Sequence, residues 1–361
     1  MVIKMSRHVY IIAEAGVNHN GNYDLARQLV EAGAEAGVDA VKFQTFCPEA
    51  LVTQTASKAA YQKVTTDAAE SQLEMLEKLT LRAEEYLSLE QLCRKKGVDF
   101  ISTPFDSGSL RFLTEKMAMP FVKLPSGEIT NAPFLLQAAQ TGRKIVLSTG
   151  MATLGEIESA LGVLAYGYLK KETPNSTKDF MEAFSSTAGQ EELQSKVSLL
   201  HCTTQYPTPF DQVNLKAMET MQYAFQLPVG YSDHTFGIVI PIAAVARGAS
   251  IIEKHFTLDR NLPGPDQKAS LEPDELKEMV DAIRVVEQSI GTGKKIPMPI
   301  EQENRKIVRK SLVAVCPIKK GQLFTEKNVT TKRPGSGSSP YDFWNIIGKI
   351  AEKNYQKDEL L

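Results

Sequence analysis

Short runs rich in β-branched and aromatic residues alternate along the chain with longer segments of helical periodicity, the pattern of parallel strands joined by crossover helices. Eight such runs are present: VYIIAEAG at 9–16, DAVKFQT at 39–45, DFISTPF at 99–105, FVKLPSG at 121–127, KIVLSTG at 144–150, VSLLHCT at 197–203, PVGYSDH at 228–234 and SIIEKHFT at 250–257. Each begins apolar and ends polar. Between them, NYDLARQLVEAGAEAG repeats Leu25, Leu29, Ala32 and Ala36 at helical spacing and stops at Gly37. ATLGEIESALGVL and TFGIVIPIAAVARG behave alike, and EPDELKEMVDAIRVVEQSIG opens on an acidic turn and closes at a glycine. The alternation predicts an α/β fold, a (β/α)8 TIM barrel. An open eight-stranded sheet has the same periodicity, but doubly wound sheets keep a dominant glycine-rich nucleotide crevice, and the sequence contains none.

Two segments interrupt the rhythm. Residues 46–98 follow a strand's carboxyl end, where they are placed to cover a site, and carry the long helical pattern ESQLEMLEKLTLRAEEYLSLEQLCRKKG. Residues 162–196, rich in Ser, Thr, Lys and Glu, read as surface decoration. The barrel is expected over residues 1–291, a proline-containing charged linker over 292–306, and a small β-rich module over 307–361. A barrel takes about 250 residues, so a chain of 361 leaves room for one such appendage.

A net charge of −2 without any lysine- or arginine-rich block argues against nucleic acid and anionic membranes as partners, leaving small molecules. No apolar run reaches the roughly 18 residues a membrane helix needs. The first residues pass straight into a strand pattern without a small-residue cleavage site, so a cytoplasmic protein is expected. Cys47, Cys93, Cys202 and Cys316 form no CxxC pair, which favours reduced thiols over a disulfide framework or structural zinc.

In a barrel the strand tails converge on one face. Here they supply Glu14 and Asn18; Lys42 and Gln44; Thr103; Lys123, Ser126 and Glu128; Ser148 and Thr149; Thr204 and Tyr206; Ser232 and His234; Glu253 and His255. Two lysines inside a barrel are costly without anionic company. That company is either Glu14, Glu128 and Glu253 or an anionic ligand such as phosphate or carboxylate, for which Thr103, Ser126 and Ser148 add hydroxyl donors. His234 and His255 end the seventh and eighth strands, neighbours in a barrel. They either share one metal ion or are core histidines satisfied by Asp233 and Glu253.

IIAEAGVNHNG, VKFQT, STPFD, VKLPSGE, STGM, HCTTQYPTP, GYSDHT and EKHFTLDR, in that order, together resemble the sialic acid synthase family, and the tail with KRPG resembles its antifreeze-like (SAF) domain. The resemblance covers nearly the whole chain. It implies condensation of phosphoenolpyruvate with an N-acetylated amino sugar, assisted by a divalent ion, Mn2+ or Mg2+, on His234 and His255. It also implies Thr103, Lys123, Ser126, Ser148 and Ser232 around phosphoenolpyruvate, Lys42, Glu128 and Tyr206 beside the reacting groups or the sugar, and Glu14 handling water or a proton. Thr204 falls in the sugar-facing stretch. Arg333 matches an arginine that reaches the sugar from the other subunit of a domain-swapped homodimer.

The resemblance makes open-chain N-acetylmannosamine the expected acceptor and N-acetylneuraminate the product. Thr204 and Gln205 in TTQYP and Gln267 in GPDQKASLEP depart from that pattern, and the TTQYP form resembles the alternative, a legionaminic acid synthase using 2,4-diacetamido-2,4,6-trideoxymannose. A synthase of 3-deoxy sugar acids would need further arginines for a second phosphate, and the strand ends offer few. A non-catalytic carbohydrate-binding protein is the reading from a different class; the intact lysine, glutamate and histidine set argues against it.

Overall fold

The computed structural model describes residues 8–59, 62–63, 66–67 and 70–361. The chain divides into two compact units, one ending at Ile290 and the other spanning Gly291–Leu361. The first contains eight strands where the alternation predicts them: β1 (Tyr10–Gly16), β2 (Ala40–Thr45), β3 (Asp99–Pro104), β4 (Val122–Leu124), β5 (Ile145–Ser148), β6 (Val197–His201), β7 (Val229–Asp233) and β8 (Ile251–His255). All ladder pairs are parallel, in the order β3-β2-β1-β8-β7-β6-β5-β4, and β3 packs beside β4, so the sheet curls into a nearly closed barrel.

Because successive strand residues face opposite sides, each strand builds two cores. Outward residues such as Ile11, Ala13, Val41, Phe43, Ile145, Leu147 and Ile252 join the layer packed under the helices. Inward, Ile12, Ala40, Ile101, Phe121, Val146, Leu200 and Ile251 form a separate apolar plug, with Tyr10 against it. On β7 that level is held by Gly230, where a Cβ would stand 2.4 Å from the Ile251 carbonyl oxygen and 2.7 Å from Leu200. The neighbouring strand leaves no room there for any side chain.

Three sequence expectations change. The helical pattern at 70–97 is two helices, Gln72–Glu77 and Ala83–Lys96. The first begins with a Ser71/Glu74 capping box; at the second, the Glu85 carboxylate accepts the Arg82 backbone N–H at 2.7 Å, satisfying a helix-start donor in mid-pattern. Residues 162–196 are not decoration. The helix Leu154–Leu169 runs through Gly162, which lies against the backbone of Phe180, and helices Thr177–Ser185 and Thr187–Lys196 bury Ala183 and Leu193. The linker region, finally, leads into a helix, Glu301–Val308.

The second unit centres on an antiparallel pair, β9 (Ser311–Ala314) and β10 (Val329–Lys332), over a core of Leu312, Ala314, Ile318, Phe324, Val329 and Ala351. Among the described residues no helix is long and apolar enough to cross a membrane.

Candidate active site

One pleat beyond the apolar plug, the barrel interior turns polar. Ladder register sets Glu14 of β1 opposite Lys42 of β2 on one side and His255 of β8 on the other, and Ser232 of β7 opposite Glu253 of β8. These side chains line a cavity of about 350 Å³ at the strand ends, together with Thr103, Lys123, Ser126, Ser148, Thr204, Tyr206 and His234. Lys42 Nζ lies 2.6 Å from Glu14 and 3.6 Å from Glu253, and donates to Thr103 Oγ1 at 3.1 Å. Lys123 Nζ is 3.4 Å from Glu253, which also accepts from Ser232 Oγ at 2.8 Å. Gln44 donates to the second oxygen of Glu14 at 3.1 Å.

Burial and the two lysines together set the two carboxyls apart. It raises Glu14 above the ordinary carboxylate range, and neighbouring Glu253 adds to the rise while Lys42 only partly offsets it. Burial pushes Glu253 up as well, but Lys123 and Lys42 outweigh it and hold its carboxyl down to about 2. When two acidic groups are separated in this way, the raised one is the proton carrier and the lowered one a fixed charge. Lys42 stays charged because Glu14 and Glu253 overcome its desolvation. Lys123 is held below the ordinary lysine range by burial, which Glu253 does not fully offset and which Lys42 reinforces. An anion beside Lys123 would favour its charged form further.

Around this layer, Ser126 Oγ accepts the Gly150 backbone N–H at 2.9 Å and sits 3.1 Å from Cys202 Sγ. A Cβ on Gly150 would come within 2.3 Å of Thr204 Oγ1 and 2.7 Å of Ser126 Oγ, so glycine is required where the loops after β4, β5 and β6 meet. Burial raises the Cys202 thiol, keeping it protonated rather than nucleophilic.

The imidazoles of His234 and His255 lie 5.5 Å apart, and the Tyr206 ring stacks 4.1 Å from His234 and 5.6 Å from His255. His234 Nδ1 pairs with the Thr203 carbonyl at 2.7 Å. Asp233 is committed elsewhere, to Lys254, Tyr231 and Thr235 outside the barrel lumen, and Glu253 to Ser232 and the lysines. Burial holds both imidazoles below the ordinary histidine range, His255 well below it with help from His234 and Lys42, and His255 Nδ1 is buried without a hydrogen-bond partner. Two neutral imidazoles on one cavity wall are a suitable donor pair for a divalent ion. Among the described residues no cluster of three or more His, Cys, Asp or Glu side chains is arranged to hold one, which leaves room for substrate atoms and water as further ligands.

One residue expected in the site does not line it. Glu128 is outside the cavity lining, in a turn at Ser126–Glu128 that leaves its carboxylate accepting from Asn131 at 2.6 Å. Arg333 is exposed just after β10 in the second unit. Gln267 is fully buried and donates to the Asn18 carbonyl at 3.0 Å, so it braces a loop and does not line the cavity. Conversely, Asp266 lines the cavity 3.7 Å from His255 Nδ1, its carboxyl pushed up to about 7 by burial and by Glu14. It belongs to the loop after β8, where strand periodicity gives no signal. The insertion after β2 also supplies part of the wall, as its position suggested.

A barrel with a charged cavity at its strand ends has the architecture of the β/α-barrel enzymes. The chain belongs to the NeuB family, which it matches over residues 29–295, and residues 309–361 match the SAF domain. It is a sialic-acid-type synthase. It is 50% identical over 351 residues to the N,N'-diacetyllegionaminic acid synthase of Campylobacter jejuni, covering 97% of this chain and 98% of that protein. The N,N'-diacetyllegionaminic acid synthase of Legionella pneumophila is 43% identical over 345 residues, 96% of this chain and 91% of that one. Among solved structures, the N-acetylneuraminic acid synthetase of Leptospira borgpetersenii, in complex with citrate, aligns with a TM-score of 0.68 at 33% identity, over 84% of this chain and 93% of that one.

Proposed function

We propose that the protein condenses phosphoenolpyruvate with 2,4-diacetamido-2,4,6-trideoxymannose to give N,N'-diacetyllegionaminic acid and inorganic phosphate. The observation that carries the choice of sugar is the 50% identity with a named legionaminic acid synthase along nearly the whole of both chains. N-acetylmannosamine, the acceptor first expected, is the second reading; the Leptospira N-acetylneuraminic acid synthetase supports it at 33% identity.

In this reaction C3 of phosphoenolpyruvate bonds to the aldehyde carbon of the open-chain sugar, water adds to C2, and the C–O bond to phosphate breaks to leave the 2-keto acid. Lys123 and Lys42 supply positive charge for the phosphate and carboxylate, and Thr103, Ser126, Ser148 and Ser232 orient their oxygens. Glu253 fixes the two lysines. Glu14, the carboxyl held high, takes or delivers the proton exchanged with the attacking water or the new hydroxyl. A divalent ion held by His234 and His255 would act as a Lewis acid on the aldehyde oxygen. Tyr206 packs against both imidazoles and keeps them facing the cavity. Arg333 is assigned to the acceptor's acetamido group, contributed by a second copy in a dimer.

The test is turnover with phosphoenolpyruvate and a panel of acetamido sugars, following phosphate release and identifying products by mass spectrometry. The expected result is product from the diacetamido sugar and none from arabinose 5-phosphate or erythrose 4-phosphate. Absence of product from every acetamido sugar overturns the reading.

A further inference from the structure

The charged layer accounts for only part of the cavity wall. A large apolar part comes from outside the barrel strands, with Phe46, Leu51, Val52, Met75, Leu76 and Leu79 all in the insertion after β2. Met75, Leu76 and Leu79 form a core of their own with Val17, against which Phe46, Leu51 and Val52 pack, so the wall is a built structure. The same insertion places two carboxamides on the lining, Gln62 and Gln72. Neither phosphoenolpyruvate nor an aldehyde has use for such a surface. On the function proposed above, it is available to the remainder of the acceptor.

A fully hydroxylated N-acetylhexosamine presents a hydroxymethyl group and ring-carbon hydroxyls, each of which loses its water against methyl and methylene groups that return no hydrogen bond. A 6-deoxy sugar replaces the hydroxymethyl by a methyl. A second acetamido group adds another methyl to pack and an amide that a carboxamide can both donate to and accept from. We infer that this insertion wall is the surface that selects the acceptor, favouring a 6-deoxy diacetamido sugar over a hydroxylated N-acetylhexosamine. The inference rests on the function proposed above and adds the residues that decide between its two acceptors.

Leu51 and Val52 are half-buried at the wall, where a polar replacement keeps its access to water. The experiment compares kcat/KM for 2,4-diacetamido-2,4,6-trideoxymannose and for N-acetylmannosamine in the wild type, Leu51→Gln, Val52→Thr and the double variant. Loss of one apolar contact changes discrimination by about tenfold or more. The wild type should prefer the diacetamido sugar by at least about that factor, and the double variant should lose about tenfold of the preference through the acceptor KM, with the phosphoenolpyruvate KM moving less. Turnover of either sugar shows that the variants fold. A wild-type preference that the variants keep intact overturns the inference while leaving the proposed function standing. A wild type that turns over neither sugar, or prefers N-acetylmannosamine, overturns the functional reading itself.

Discussion

Asp233 and Lys254 face each other in the β7–β8 ladder and join in a 2.6 Å ion pair that is completely shut off from solvent. The Tyr231 hydroxyl and the Thr235 backbone N–H donate to the remaining oxygen of Asp233, at 3.1 and 3.0 Å. Each partner precedes one of the two cavity histidines, so the pair clamps the two strand ends together from outside while the imidazoles face inward. Removing one partner leaves a buried charge unpaired, which costs about 3–5 kcal/mol. Asp233→Asn is therefore expected to lower the unfolding free energy by that amount in urea titration. An Asp233→Leu/Lys254→Met double variant should be less destabilised than Asp233→Asn.

Chelation is expected to abolish turnover and added manganese to restore it. His234→Ala and His255→Ala should each weaken manganese binding, measured directly by titration, by more than the roughly 10–100-fold that loss of an outer partner costs. Activity indifferent to a chelator and to His234→Ala would overturn the two-histidine site.

Lys123→Met strips the Glu253 side of its counter-charge and phosphoenolpyruvate of a cation. Truncating one member of a buried charge pair costs about 2–5 kcal/mol, so kcat/KM for phosphoenolpyruvate should fall about 100-fold or more. Steady-state kinetics at saturating acceptor measure it.

His19 gives a pH dependence away from the cavity. Burial lowers its imidazole to about 4, with Glu85 opposing only weakly, and its Nδ1 accepts the Gly21 N–H at 3.1 Å. Between about pH 6.5 and 4 the unfolded chain then binds a proton that the folded one does not, so stability is present above 6.5 and is lost as pH falls toward 4. The difference is on the order of 3 kcal/mol at most. His19→Gln should flatten that slope in urea melts at pH 7 and pH 4.5.

Arg333→Ala is expected to raise the acceptor KM about tenfold, the scale of one hydrogen bond from a charged group, without a matching change for phosphoenolpyruvate. An unchanged acceptor KM removes Arg333 from the site.

The barrel and most of its site are legible in the sequence for one physical reason: a strand entering a barrel must be apolar where it meets the plug and is free to be polar where it meets a ligand. Ile12 to Glu14, Ala40 to Lys42, Phe121 to Lys123 and Ile251 to Glu253 each make that change over two residues, so the charged layer can be read from period-two patterning. What escapes is set by loops. Asp266 reaches the cavity from an irregular segment, and Glu128 misses it because a tight turn directs its carboxylate to Asn131. The break between Glu77 and Ala83 is hidden because Leu76 and Leu79 keep helical spacing while packing into the insertion's own apolar cluster. That the insertion covers the site is legible from its position after β2, but which of its residues line the cavity is not, since Met75, Leu76 and Leu79 read as helix core.

The apolar plug beneath the charged layer has a consequence for the order of events. With the far end of the lumen sealed by Ile12, Ala40, Ile101, Phe121, Val146, Leu200 and Ile251, the cavity is a blind well, and traffic passes through one mouth. On the proposed function, a phosphoenolpyruvate seated on Lys42 and Lys123 at the floor would have to arrive before the sugar above it. Phosphate left at the same depth would then follow the nine-carbon product out through the opening. The stopper of the barrel would in that case set the order of binding and release as much as the reactive groups do.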